Sequence, residues 1–253
     1  MFYAMVVRES KSLPVSYSLV STLNKALFMQ TILPTDGGPI YAETDLTAFI
    51  SEPWNALSSL AIVIPAIYWA FKLKWDFKNF SFLYFLVPLL ALGGTGSLLF
   101  HAFRSSRFLL WMDVFPTAIV TLAVSVYFWD KVLPKKWQVA TVVVPFAFIR
   151  YAIFDFYSGQ FALNLNYFVT GFLIFFPIIF YLSKHNYKHI HTILISIVFL
   201  SLSLILRRID YSVAELIPMG SHFLWHIFSG VGAFYLAKYL YKIRMDELQL
   251  KAT

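Results

Sequence analysis

Seven long apolar runs constrain this chain more than any other feature. They cover residues 53–73, 80–103, 108–129, 137–157, 161–182, 190–209 and 220–241, and each is about as long as an α-helix must be to cross roughly 30 Å of hydrocarbon. Short polar breaks separate them: Lys72 to Lys78, Arg104 to Arg107, Asp130 to Lys136 with Pro134, Ser158 and Gly159, Lys184 to His189, and Arg207 to Gly220 with Pro218. The pattern predicts an all-α membrane protein, a seven-transmembrane-helix bundle over 51–243, with an N-terminal segment (1–50) and a short C-terminal tail (244–253). Charged residues make up only 13% of the 253, against about 25% in soluble domains, which argues against a water-exposed globular fold.

The net charge of +7 follows the membrane pattern rather than that of a polyanion-binding protein, because most cations lie between the apolar runs. The expected partner is therefore the bilayer and its lipids, with no nucleic acid. Twelve Lys and Arg fall on the side of the C-terminus and four, Arg104, Arg107, Arg207 and Arg208, on the other. The positive-inside rule then puts the C-terminus in the cytoplasm and the N-terminal face outside or in a lumen, in a bacterial inner membrane or an endomembrane. The apolar stretch from Tyr17 to Leu33 is interrupted by Asn24 and Lys25, and it reads as an interfacial segment rather than a signal peptide. Nothing in the sequence fixes the oligomeric state.

Ionisable groups inside a bilayer are costly and mark function by default. His101 closes the second span, Asp113 lies early in the third, and His222 and His226 open the seventh. Alternating topology brings all four to one end of the bundle. His222 and His226, four residues apart, share a helix face. With His101 they supply three imidazoles, which suits a zinc site that keeps a coordination position open for chemistry. The alternative is three helix-end histidines with ordinary hydrogen-bond partners. His185 and His189 have the same spacing but sit among Lys184 and Lys188 at the other end with no acid expected nearby, so spacing alone does not define a site.

Ser97 lies one turn before His101 on the same face, placed either to bond a reacting oxygen or to bond back to its own helix. Gly93, Gly94 and Gly96 leave this stretch of the second span almost bare, for close helix packing or for substrate room. Before the first span, Glu43, Asp45, Glu52 and Asn55 offer oxygen ligands of the kind calcium takes, or ordinary helix caps; capping is the expected role of Asp45. Arg150, Asp155, Tyr157, Asn164, Asn166, Tyr167, Arg207, Arg208 and Asp210 complete the polar set at this end. Arg150 and Asp155 are a candidate pair, and Tyr157 or Tyr167 a candidate partner for a reacting carbonyl.

Taken together, Glu52-Pro53-Trp54-Asn55, Gly94-Thr95-Gly96-Ser97-Leu98-Leu99-Phe100-His101, Asp113, and Ser221-His222-Phe223-Leu224-Trp225-His226 resemble the alkaline ceramidase family. That family sits in a wider group of seven-helix proteins related to the adiponectin and progestin receptors. The likeness runs from about Pro39 to Tyr239. It implies a zinc-dependent amidase acting on ceramide or a related N-acyl lipid, with His101, His222 and His226 on zinc, Asp113 deprotonating water and Ser97 steadying the oxyanion. It also implies a calcium ligand at Glu52. The Asp-Trp-Cys-Glu pattern of animal members is replaced here by Tyr41-Ala42-Glu43-Thr44-Asp45, and Ser59 stands where the family often has asparagine. The rival expectations are a lipid-binding receptor or scaffold with a structural zinc, and a lipid esterase of the same wider group.

Overall fold

The computed structural model describes residues 34–157 and 159–252. The Tyr17–Leu33 segment and Ser158 lie outside the described residues, as does the side chain of Asn164. All regular structure among the described residues is helical: α1 Pro53–Ser58, α2 Leu60–Lys72, α3 Ser81–Phe103, α4 Arg107–Val132, α5 Trp137–Phe156, α6 Gly159–Lys184, α7 Ile190–Arg208, a 3-10 turn Tyr211–Val213, and α8 His222–Ala252. Each expected run corresponds to a helix, the first being divided at Ser59 into α1 and α2.

Five of these segments are long and apolar enough to cross a membrane: Pro53–Lys72, Ser81–Phe103, Arg107–Val132, Leu165–Lys184 and Ile190–Arg208. This marks the chain as a membrane protein. Helix α5 is 20 residues long, and its fully described apolar part is Trp137–Ile153; α8 does not meet that measure. In α8 the apolar residues are diluted by two histidines in the first turns and by Lys238, Lys242, Arg244, Asp246 and Glu247 further on. Large side chains point outward in a way water would penalise: Phe148 is 70% exposed and Phe168 73%, as suits a helix surface facing lipid.

The packed interior divides by chemistry. Trp69, Leu73, Phe128, Ile178, Ile193 and Tyr239 are fully buried in an apolar core towards the end of the bundle that carries the C-terminal tail. At the opposite end the buried side chains are polar: Asp36, Glu52, Asn55, Ser97, His101, Arg104, Asp210, His222 and His226. Phe128 and Tyr239 stack at 6.0 Å between ring centroids, tying α4 to α8. The bare stretch of α3 serves close packing. A Cβ on Gly96 would fall on the Met112 carbonyl and crowd the Asp113 amide of α4. Only glycine admits that approach, which carries Asp113 up to the level of Ser97.

At the tail end, His185 and His189 lie in the loop that follows Lys184, as their lysine-rich surroundings suggest, but the expectation of no nearby acid is corrected. His185 Nδ1 bonds the Tyr181 carbonyl at 2.8 Å, and His189 Nε2 meets Asp246 at 2.8 Å, an acid that α8 brings in from 57 residues away.

Candidate metal centre

α3 and α8 run into this end of the bundle from opposite directions, so the last turns of one meet the first turns of the other. His101, His222 and His226 are fully buried, and each offers a ring nitrogen within 4.8 Å of the others. The ring centroids are 5.2 Å apart for His101 and His222, 4.9 Å for His101 and His226, and 4.8 Å for His222 and His226. His101 Nε2 and both nitrogens of His222 have no hydrogen-bond partner. An orphaned buried polar group costs about 1–3 kcal/mol, and a cation would remove that cost at His101 Nε2 and at whichever His222 nitrogen carries the lone pair. The three histidines thus fit a metal ion.

The outer partners of the rings favour ligand tautomers. His101 Nδ1 bonds the Glu52 carboxylate; a carboxylate only accepts, so the proton sits on Nδ1 and Nε2 carries the lone pair. Ser58 Oγ lies 2.8 Å from His226 Nδ1 and 3.1 Å from the Asn55 carbonyl. With its one proton given to that carbonyl, Ser58 accepts from Nδ1–H, and His226 Nε2 is left unprotonated. His222 is held by its faces, stacked on Tyr41 at 3.8 Å and Trp225 at 5.0 Å. Burial pushes the Tyr41 phenol well above its ordinary value, so it stays neutral.

Ser97 Oγ is 3.4 Å from His226 Nε2 and 3.1 Å from Ser59 Oγ, so the Ser59 hydroxyl supports Ser97 directly. Asp113 is half-buried two turns into α4, and its carboxylate interacts with His101, Ser97 and Arg207. Arg207, from the last turn of α7, lies over the rings of Tyr167 at 5.1 Å, Trp225 at 5.3 Å and Tyr41 at 5.9 Å. Tyr167 is therefore at the site. Tyr157 is half exposed and packs on Phe161 instead. Arg150 bonds the Asn166 side chain at 2.8 Å rather than pairing with Asp155.

The loop before α1 is also ordered by this cluster. Burial pushes the Glu52 carboxyl up, but hydrogen bonds from His101 and Thr44 and the charge of Arg104 more than offset it and hold Glu52 below the usual carboxylate range. Helix α1 is capped by Glu43, which accepts from Trp54 N at 2.5 Å and Asn55 N at 2.9 Å. Asp45 does not cap the helix as expected; it closes a local turn onto Thr47 N at 2.9 Å. The Asp45 carboxylate is taken up by the Thr47 amide and hydroxyl, and the Glu43 carboxylate meets the first helix amides instead.

The sequence gives no role to four contributors: Asp36, Tyr41, Arg104 and Asp210. Asp210 Oδ1 accepts from Ser221 N and His222 N, both at 2.8 Å, and Oδ2 from Ala42 N at 2.9 Å. It caps α8 and fastens the loop that carries Tyr41. Asp210→Ala leaves three amides without their acceptor, and the expected cost is about 3 kcal/mol. A lowered melting temperature in detergent together with weaker metal retention checks this. The sequence places Asp210 at this end in a run with Arg207 and Arg208, but nothing in it ties that carboxylate to the amide of residue 222.

The fold and site define a helical membrane protein with a buried three-histidine centre able to hold a metal ion. No protein-family model matches the chain, and no curated protein matches it significantly.

Proposed function

We propose that this protein is a zinc-dependent intramembrane amidase of the alkaline ceramidase type, built on seven membrane spans, that hydrolyses ceramide or a related N-acyl lipid to a sphingoid base and a fatty acid. The observation that carries the reading is the set of three buried histidines, with orphaned nitrogens on His101 and His222, beside the Asp113 carboxylate and the Ser97 hydroxyl. Three imidazoles leave a fourth position open, as hydrolytic zinc sites do, whereas structural sites are closed by a fourth protein ligand. Zinc, when bound, supplies Lewis acidity towards the amide carbonyl and towards water.

The chain's own residues do the rest. Asp113 orients the attacking water and takes its proton as the C–O bond forms. Ser97 donates to the carbonyl oxygen as that oxygen gains charge. Asp113 then returns the proton to the nitrogen as the C–N bond breaks, which releases a neutral amine. The amide reaches this depth with both lipid tails still in hydrocarbon, since the outward faces of the helices are apolar. The orientation with the C-terminus in the cytoplasm belongs to the same reading. Two of the four cations that oppose it, Arg104 and Arg207, are engaged in the cluster rather than free in loops.

The test is a panel of N-acyl lipids and lipid esters incubated with purified, zinc-loaded protein. Release of free fatty acid from ceramide is the expected result. Release from esters alone moves the protein to the esterase reading, and lipid binding without release moves it to a receptor or scaffold.

A further inference from the structure

The sequence offers oxygen ligands before α1 that would suit a second, calcium-type site, yet the structure fills that place with a side chain. Arg104 is 3% exposed. Its Nε donates to Asp36 Oδ2 at 2.8 Å and its Nη2 to Asp36 Oδ1 at 3.2 Å, a two-pronged pairing. Its Nη1 bonds Glu52 Oε1, which also accepts from Thr44 Oγ1 at 2.6 Å. Glu52 Oε2 takes the His101 Nδ1 proton and lies 3.4 Å from Asn55 Nδ2. Both oxygens of both carboxylates are thereby engaged by protein donors. Calcium needs six to eight oxygens at about 2.3–2.6 Å, and here the centre of that sphere is a guanidinium. Among the buried carboxylate and amide oxygens of this cluster only Asn55 Oδ1 is left without a partner, and one free oxygen is too few for calcium.

The backbone at Arg104 points the same way. It ends α3 in the left-handed region, at φ 46°, a position that favours glycine and costs other residues roughly 1–2 kcal/mol. A long charged side chain is placed there against that cost, and its paired carboxylates and the Phe100 ring, 4.6 Å below the guanidinium, hold it.

We infer that Arg104 is the resident cation of this cluster, filling the place between Asp36 and Glu52 that a divalent ion would need, and that it acts as a positioning residue which fixes Glu52 and, through it, the orientation and tautomer of His101. The protein then carries one metal ion, on three histidines, and is independent of calcium. The second part of the inference rests on the metal-binding reading of those histidines; the calcium part does not.

The experiment uses full-length protein in detergent, as wild type, Arg104→Lys and Arg104→Met. Zinc release to a chelator is timed for each, and melting is followed with calcium or with EGTA. Wild type is expected to melt at the same temperature in both. Arg104→Met is expected to hold zinc about 10–100-fold more weakly, the usual effect of losing an outer-shell partner, and Arg104→Lys to recover part of the loss, because an ammonium restores the charge without the fork. With the guanidinium gone, Asp36 and Glu52 become available, and calcium is expected to raise the melting temperature of Arg104→Met alone.

A calcium-dependent rise in wild-type melting, or zinc release from Arg104→Lys and Arg104→Met at the wild-type rate, overturns the inference. If Arg104→Met does not fold, Arg104→Lys and the wild-type calcium comparison still decide it. Failure of the metal reading itself looks different: wild type then holds no stoichiometric zinc at all.

Discussion

His222→Ala is expected to remove both the bound zinc and all lipid hydrolysis. His222 is the one member of the trio whose two ring nitrogens are both unpartnered; its ring is held by Tyr41 and Trp225 rather than by hydrogen bonds, which leaves its lone pair free for an ion. Loss of one of three protein ligands leaves two imidazoles, too few to retain zinc against a chelator. Metal analysis of the purified variant should fall from about one zinc per chain to near none. Emptying the space between two aromatic rings also costs on the order of 2–4 kcal/mol. His222→Gln keeps more of the volume and separates the metal effect from instability. A variant that keeps full zinc and normal fatty acid release would show that the ion, if bound, sits elsewhere.

Asp113→Asn should divide the two properties. Asp113 is outside the three-histidine group, so the variant is expected to keep its zinc. An amide cannot accept the proton of water, and turnover should fall by about 10²–10⁴-fold, the usual contribution of a positioned general base. The measurement is fatty acid release per bound zinc. Loss of zinc with the carboxylate would make Asp113 a ligand, and unchanged turnover would remove it from the chemistry.

The helices of this protein are legible because spanning length and apolar composition are local properties of the chain. The seven runs correspond to seven helical segments, yet α8 falls short of the spanning measure for a reason its run length hides. In α8 the histidines that build the centre are themselves what dilutes its apolar start. The same locality hid the partner of His189: its own stretch of chain offers no acid, and Asp246 arrives from α8, 57 residues away.

His101, His222 and His226 stand out as polar residues at apolar span ends, and alternating topology alone sends those ends to one side. The groups that hold them give no such signal. Arg104 reads as a loop cation until Asp36 and Glu52 close on it. Asp210 reads as one charge among several until the amides of Ser221 and His222 turn towards it. Tyr41 reads as a loop aromatic until it stacks on His222.

What the chain determined alone is the part governed by transfer from water to hydrocarbon: which segments are helical and buried in a membrane, and which polar residues must then justify their depth. What only tertiary structure decided is the pairing among those polar residues. Hydrogen bonds and ion pairs act over about 3 Å, and Glu52 and His101 are 49 residues apart in sequence. No periodicity connects two such positions until the helices have packed and removed every other partner.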